Sequence, residues 1–274
     1  MRYHKLPRLY VENELNVGEQ IRLPKPASHY LVSVMRRKLT DNIILFNGKA
    51  GEFLAEITEA NKSAASIKIV EKTRGQAICP NITLIYSPVK NVKSEYIVQK
   101  ATELGASKIQ PCVFERTIRP KVKEDKLKAV AIEAAEQCER LDIPHINELI
   151  DFANLLPEIK DKNIIFCDET GQGKPASEAL SALLPSTSNM SPRATIPDLS
   201  PRTSCGVNGK EFIILIGPEG GFSDDEIKQI YELPNAAGIG LGPRILRADT
   251  AIIAALTLTQ NYLGDFDSLP DFRL

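Results

Sequence analysis

The stretch "FIILIGPEGGFSDDEI", residues 212–227, decides how this chain is built. Five consecutive apolar residues, Phe212 to Ile216, read as a strand buried on both faces, as in a parallel sheet. The run stops at Gly217-Pro218, and Glu219 and two more glycines follow. Ser223-Asp224-Asp225-Glu226 then has the S-x-x-E form of a capping box, in which serine and glutamate each satisfy a free backbone N–H at a helix start. Asp224 and Asp225 fall in the first turn, where the helix dipole favours acids. A helix is therefore predicted from about Asp224, with Pro234 ending it.

The same acids restrict the ligand. A phosphate-cradling loop, G-x-x-x-x-G-K-[ST], needs a lysine where Asp224 and Asp225 stand. The dinucleotide pattern G-x-G-x-x-G is also missing, and "GIGLG" at 238–242 runs on into Pro243-Arg244 instead of completing it. The loop suits a neutral or cationic ligand lying close to the backbone, since glycines at 217, 220 and 221 remove the Cβ atoms that would block it. A second site-like stretch, "GIGLGPRILRADTAIIAAL" at 238–256, reads as strand, turn and apolar helix. Arg244 reads as solvated, whereas Arg247, expected to be buried against so apolar a segment, requires a partner. If the two strands are neighbours, Arg247 and Asp249 flank a turn beside the first glycine loop.

Outward from these loops, residues 81 onward alternate apolar runs ("ITLIYS", "KIQPCVF", "NIIFCD", "FIILIG", "AAGIGLG") with helical patterns near 91–105, 122–140, 176–184, 223–233 and 246–262. That alternation predicts a parallel α/β sheet. Gly105 reads as the residue that closes the first helix. Residues 1–72 differ: short alternating strands "EQIRLP", "NIILFN", "EFLAEITEA" and "SAASIKIVEK" surround one helical piece, "ASHYLVSVMR", which predicts a small β-barrel. The expected division is 1–72 and 73–274, with Thr73 to Pro80 as a linker. Residues 185–210, rich in Ser, Thr and Pro, read as a surface insertion within the second part.

The 274 residues are 43% hydrophobic and 25% charged, the composition of a soluble globular protein. No apolar run approaches the roughly 20 residues that span a bilayer, and a cytoplasmic location is expected. Cys79, Cys112, Cys138, Cys167 and Cys205 are odd in number and scattered, and His4, His29 and His145 show no ligand spacing, so no metal is expected. The net charge of −1 hides an asymmetry: residues 1–40 and 86–128 each carry net +5, leaving −11 for the remainder. A polyanion-binding face and an ordinary solvated surface both fit that distribution.

Together, "IGPEGGFSDDEI" and "LGPRILRADTA" resemble the paired cofactor loops of the RsmE-type 16S rRNA uridine-N3 methyltransferases of the SPOUT superfamily. The resemblance extends to "EYIVQKATELGASKIQP", to "ERT" at 115–117, to "EAAEQCERLDIPHI" at 133–146 and to "HYLVSVMRRKLTDNIILFNGKAGEFLAEI" at 29–57. It implies an N-terminal PUA-like β-barrel that engages RNA and a C-terminal α/β domain tied in a trefoil knot. It also implies S-adenosylmethionine as cofactor, a homodimer that builds the active site, and 16S rRNA of the small subunit as substrate. The cofactor would lie along Ile216, Gly217, Pro218, Glu219, Gly220 and Gly221 in the first loop. In the second it would meet Leu241, Gly242, Ile245, Leu246 and Arg247. A sulfonium cation without a phosphate agrees with the ligand class read from the residues. The chain departs from the family at Asp249, where glutamate is usual, at Thr40, which replaces a turn glycine, and in the length of 185–210.

Uridine N3 is a poor nucleophile until its proton leaves, so a base is needed, or a cation that stabilises charge developing on the flanking carbonyls. Arg247 is the expected electrostatic partner of the uracil or of the cofactor carboxylate. Glu219 is the candidate base, and a loop carboxylate bonded to backbone N–H groups is the other reading of it. Arg8, Arg36, Arg37 and Lys38 on the barrel, with Lys90, Lys93, Arg116 and Arg119, are the expected phosphate contacts. Two other functions fit less of the pattern: ribose 2′-O-methylation by the same fold, and a non-catalytic RNA-binding module.

Overall fold

The computed structural model describes residues 6–89, 92–118, 122–184 and 210–268. The described residues form two compact units, one from residues up to 78 together with 135–143, the other from 79–134 together with 144–268. His4, Lys90, Arg119, Cys205 and all of the insertion but Lys210 lie outside the described residues.

In the first unit, β1 (Arg8–Tyr10), β2 (Gln20–Arg22), β3 (Asn42–Phe46), β4 (Glu52–Glu59) and β5 (Ser66–Arg74) form one sheet in the order β1-β3-β4-β5-β2. Alternation along the strands sends Ile43, Leu45, Ala55, Ile57, Ile67 and Ile69 into a shared core with Leu31. Register shifts between β4 and β5 help to curl the sheet into a half-barrel. The helical piece is α1 (Lys25–His29), which passes directly into a π-helical turn at Tyr30–Val34. All four expected strands are present. β1, only three residues long, pairs parallel with β3 and escaped the sequence reading. Thr73 and Arg74, read as linker, end β5 instead: Thr73 Oγ1 donates to Glu52 Oε1 at 2.8 Å, and Arg74 Nε donates to Oε2 at 3.0 Å.

The second unit contains β6 (Ile82–Tyr86), α2 (Ser94–Glu103), β7 (Lys108–Val113), α3 (Glu124–Cys138, counted with the first unit from Ala135), β8 (His145–Ile146), β9 (Ile150–Asp151) and α4 (Phe152–Ile159). β10 (Asn163–Cys167), β11 (Lys174–Pro175), α5 (Ala176–Ala182), β12 (Phe212–Ile216), α6 (Asp224–Tyr231), β13 (Ala236–Gly240) and α7 (Ala248–Leu263) follow. The sheet is parallel, in the order β11-β13-β10-β12-β6-β7-β8, with β9 on β7. All five residues of β12 are buried, as a strand flanked on both faces requires. Gly105, at φ +78°, ends α2, and Gln260 of α7 donates to the Leu104 carbonyl at 2.8 Å. α4 was not expected; it spans only eight residues and holds Pro157 inside, which reads as a break even though Phe152, Leu155 and Ile159 face the core at helical spacing. Among the described residues no helix is long and apolar enough to cross a membrane.

Candidate functional site

β12 stands where the strand order turns. β6, β7 and β8 succeed one another on one side of it, while β10, β13 and β11 lie on the other. At such a switch point, beyond the carboxyl ends of the strands, open parallel sheets bind their ligands. The glycine loop leaves β12 there.

Its shape follows from a few residues. The Gly221 N–H donates to the Pro218 carbonyl at 2.9 Å and closes a tight turn. Gly221 takes φ +70°, which strains any other residue, and a Cβ there would stand 1.6 Å from a carboxylate oxygen of Glu169 and force that side chain out of its place. Gly217 and Gly220 are less constrained: their added Cβ atoms would come no closer than 3.1 Å to the Phe222 ring and 3.4 Å to Arg116 Cβ. The predicted capping box is present. Ser223 Oγ accepts from the Glu226 N–H at 3.3 Å, and Glu226 Oε2 accepts from the Ser223 N–H at 2.8 Å. The second Glu226 oxygen accepts from the Glu115 N–H at 2.8 Å, joining the helix start to the loop after β7. Phe222 packs edge-on against Phe114 and Phe166, which anchors the loop's exit in the core.

The expected second loop, Leu241 to Arg247, leaves β13, with Gly242 at φ +97°. It is not next to the first: β10 pairs with both β12 and β13 and separates them. Arg247 is exposed rather than buried, because it is the N-cap residue of α7, and the inward face of that helix begins only at Ala251. Its carbonyl accepts from the Ala251 N–H at 2.8 Å. Leu246 is half-buried and Ile245 is 98% exposed in the single chain. Glu219 is exposed at the tip of its turn, and Ile216 and Pro218 are buried.

Between the two loops lies a third, residues 168–173 after β10, "DETGQG", which the sequence reading passed over. Its two carboxylates and two glycines directly after an apolar strand were the signal that could have found it. Asp168 Oδ1 accepts from the Thr170 N–H at 2.8 Å and hydroxyl at 2.7 Å, and Oδ2 accepts from the Tyr231 hydroxyl at 2.7 Å. Burial works to raise the Asp168 pKa, but the bonds from Thr170 and Tyr231 outweigh it and hold the carboxylate below its ordinary range. Glu169 moves the other way: burial and the charge of Asp168 raise it, against a smaller opposite pull from Arg116 and the Phe222 N–H. Cys167 is held as a thiol, because burial, with Glu169 beside it, pushes its pKa up to about 12.

The expected RNA contacts separate. Arg36 and Lys38 are exposed on the loop after the π-turn, Arg37 is half-buried, and Lys93 is exposed at the N-cap of α2. Arg8 does not belong with them: it is 9% exposed, paired with Glu52 and stacked over the Phe46 ring at 5.2 Å. Arg116 is exposed, yet it turns to the glycine loop, and Nη1 donates to the carbonyls of Gly220 and Phe222 at 3.1 and 3.0 Å.

The donor set fits a cationic ligand without phosphate. No Lys or Arg occurs between Phe212 and Ile227, the acidic side chains of Glu219 and Glu169 stand in and beside the loop, and Arg116 is already bonded to carbonyls. The comparisons agree with that chemistry. An RNA methyltransferase domain model matches residues 77–260 and an RNA methyltransferase PUA domain model matches 23–70. The chain is 32% identical to a ribosomal RNA small subunit methyltransferase E from Buchnera aphidicola subsp. Schizaphis graminum, over 95% of this chain and 98% of that one. It is 30% identical to the protein of the same name from Rickettsia conorii, over 92% and 94%. The Neisseria gonorrhoeae protein of that name, solved bound to S-adenosyl methionine, superposes with a TM-score of 0.77 at 26% identity, covering 95% of this chain and 99% of that one.

Proposed function

This chain belongs to the ribosomal RNA small subunit methyltransferase E family, and from that premise we propose that it methylates N3 of a uridine in 16S rRNA. The observation that carries the reading is the Gly217–Gly221 wall at the switch point, where Gly221 has a left-handed backbone that favours glycine and the guanidinium of Arg116 is taken up by loop carbonyls. S-adenosylmethionine, when bound, supplies an electrophilic methyl group on a sulfonium. The residues that would hold it are those of the two glycine loops, Ile216 to Gly221 and Leu241, Gly242 and Ile245 to Arg247, with the 168–173 loop between them. Arg247, exposed at the start of α7, faces the carbonyl charge that develops as the N3 proton leaves or the cofactor carboxylate; Glu219 accepts that proton.

The half-barrel unit positions the RNA through Arg36, Arg37 and Lys38, and Lys93 contributes from the other unit. The knot belongs to the same reading and is supported by β12, which enters late in the chain yet lies between β10 and β6. A homodimer is supported by Ile245 and by the half-exposed Ile253, Ala254, Thr257 and Leu258 of α7, a face that a second copy would cover.

Nucleoside mass spectrometry of small-subunit rRNA from cells lacking the protein tests the reaction. N3-methyluridine should be missing and should return on incubation with purified enzyme and S-adenosylmethionine. Loss of a 2′-O-methyl nucleoside instead would move the chemistry to ribose. Glu219→Gln should lower turnover at least a hundredfold while calorimetric cofactor affinity stays within a few-fold; near-normal turnover would remove Glu219 from the mechanism.

A further inference from the structure

Three residues of the glycine loop, Gly220, Gly221 and Phe222, are held from two sides by side chains distant in sequence. From the loop after β7, Arg116 Nη1 donates to the carbonyls of Gly220 at 3.1 Å and Phe222 at 3.0 Å. From the loop after β10, the Glu169 carboxylate fills the space below Gly221 and accepts the Phe222 N–H. The two charges also act on one another across the loop. Glu226 extends the arrangement, since its carboxylate bonds the backbone N–H of both Ser223 and Glu115 and so ties the residue beside Arg116 to the start of α6. A glycine loop left to itself samples many backbone states. This one is fixed at both peptide faces by an arginine and a carboxylate.

We propose that Arg116 and Glu169 are positioning residues that set the shape of the Gly220–Phe222 wall before the cofactor arrives, and that Arg116 serves the cofactor site rather than the RNA backbone. The proposal rests on the reading of that wall as the S-adenosylmethionine site. It assigns Arg116 a role different from the one its charge and its place in a basic segment suggested. Its guanidinium is bonded to neutral carbonyls, whose orientation it determines, and both carbonyls flank Gly221, the loop position whose backbone favours glycine. Preorganised backbone of this kind lowers the ordering cost that a ligand would otherwise meet on binding.

The test uses the full-length protein and four variants, Arg116→Ala, Arg116→Lys, Glu169→Ala and Glu169→Gln. Each is measured for S-adenosylmethionine affinity by calorimetry, for amide exchange at Phe222 without cofactor, and for RNA affinity across a salt series. Wild-type binding establishes the site itself; a wild type that binds no cofactor refutes the functional reading, whatever the variants do. With that in hand, Arg116→Ala and Glu169→Ala should each weaken cofactor binding about tenfold or more and speed exchange at Phe222. RNA affinity and its salt slope should hold. Glu169→Gln keeps an acceptor for the Phe222 N–H and should recover most of the affinity, and Arg116→Lys, which keeps the charge but loses the planar guanidinium that fixes the donor directions, should recover part. Cofactor affinity unchanged in Arg116→Ala, with a shallower salt slope for RNA, would make Arg116 a phosphate contact and overturn the proposal. If Arg116→Ala does not fold, the Glu169 pair decides alone: equal affinity in Glu169→Ala, Glu169→Gln and wild type would also overturn it.

Discussion

Two backbone positions with positive φ lead to opposite predictions. At Gly221 the conformation and the crowding act together: φ is +70° and a Cβ would overlap a Glu169 oxygen. Gly221→Ala should therefore abolish detectable S-adenosylmethionine binding in calorimetry. Gly220→Ala, whose new atom would make ordinary van der Waals contact with Arg116 Cβ at 3.4 Å, should bind within a few-fold of wild type. Equal behaviour of the two variants would contradict the loop geometry. Thr40 has φ +68° without being glycine. A β-branched side chain there is strained by roughly 1–2 kcal/mol, against which glycine's greater freedom in the unfolded chain costs about 0.5–1 kcal/mol. The Thr40 side chain is exposed, while its N–H bond to the Ile57 carbonyl at 2.9 Å is available to glycine as well. Thr40→Gly should raise stability by about 0.5–1 kcal/mol in urea unfolding, and a loss would show that the turn tolerates threonine without strain.

Among the elements, β4 contains the group with the clearest pH signature. Glu52 is 3% exposed and accepts from Arg8, Arg74 and Thr73. Burial alone would raise its pKa, but the bonds and charge of the two arginines and Thr73 prevail, and the folded value lies below the ordinary 4.5. A depressed folded pKa contributes stability that is complete above 4.5 and is lost as pH falls through the folded value. Glu52→Gln leaves Arg8 buried without its counter-charge and should cost about 3 kcal/mol at pH 7. Since the wild type loses the same interaction in acid, the gap between the two should narrow as pH falls below 4.5, and a gap independent of pH would exclude the ion pair as its source. This pair also marks what the sequence could convey. The strand β12, the capping box of α6 and the close of α2 at Gly105 are local patterns, and all three were legible. Arg8, Arg74 and Glu52 meet across the sheet, so Arg8 read as a free cation and Arg74 as linker. Strand order is likewise a property of the whole sheet, which is why the loop between the two glycine loops was missed.

For the whole molecule, a net charge of −1 is compatible with RNA binding because the positive charge is concentrated. Not all of that charge is available. Arg8 is paired inside the half-barrel unit and Arg116 is bonded to loop carbonyls, whereas Arg36, Lys38 and Lys93 are exposed. Each phosphate neutralised on single-stranded RNA contributes roughly −0.7 to the slope of log affinity against log salt. Replacing Arg36, Lys38 or Lys93 with alanine should therefore weaken rRNA binding at low salt and make the slope shallower by somewhat less than one unit per site. Arg8→Ala should behave differently. It should lower stability by leaving the buried Glu52 with only one of its two arginine partners, and leave the slope of the surviving folded protein unchanged. Filter binding between low and moderate salt, with unfolding measured on the same preparations, distinguishes the two classes. A flat salt response in the wild type would mean that the exposed basic residues of both units do not meet phosphate. A shallower slope in Arg8→Ala would mean that this buried arginine reaches the RNA after all.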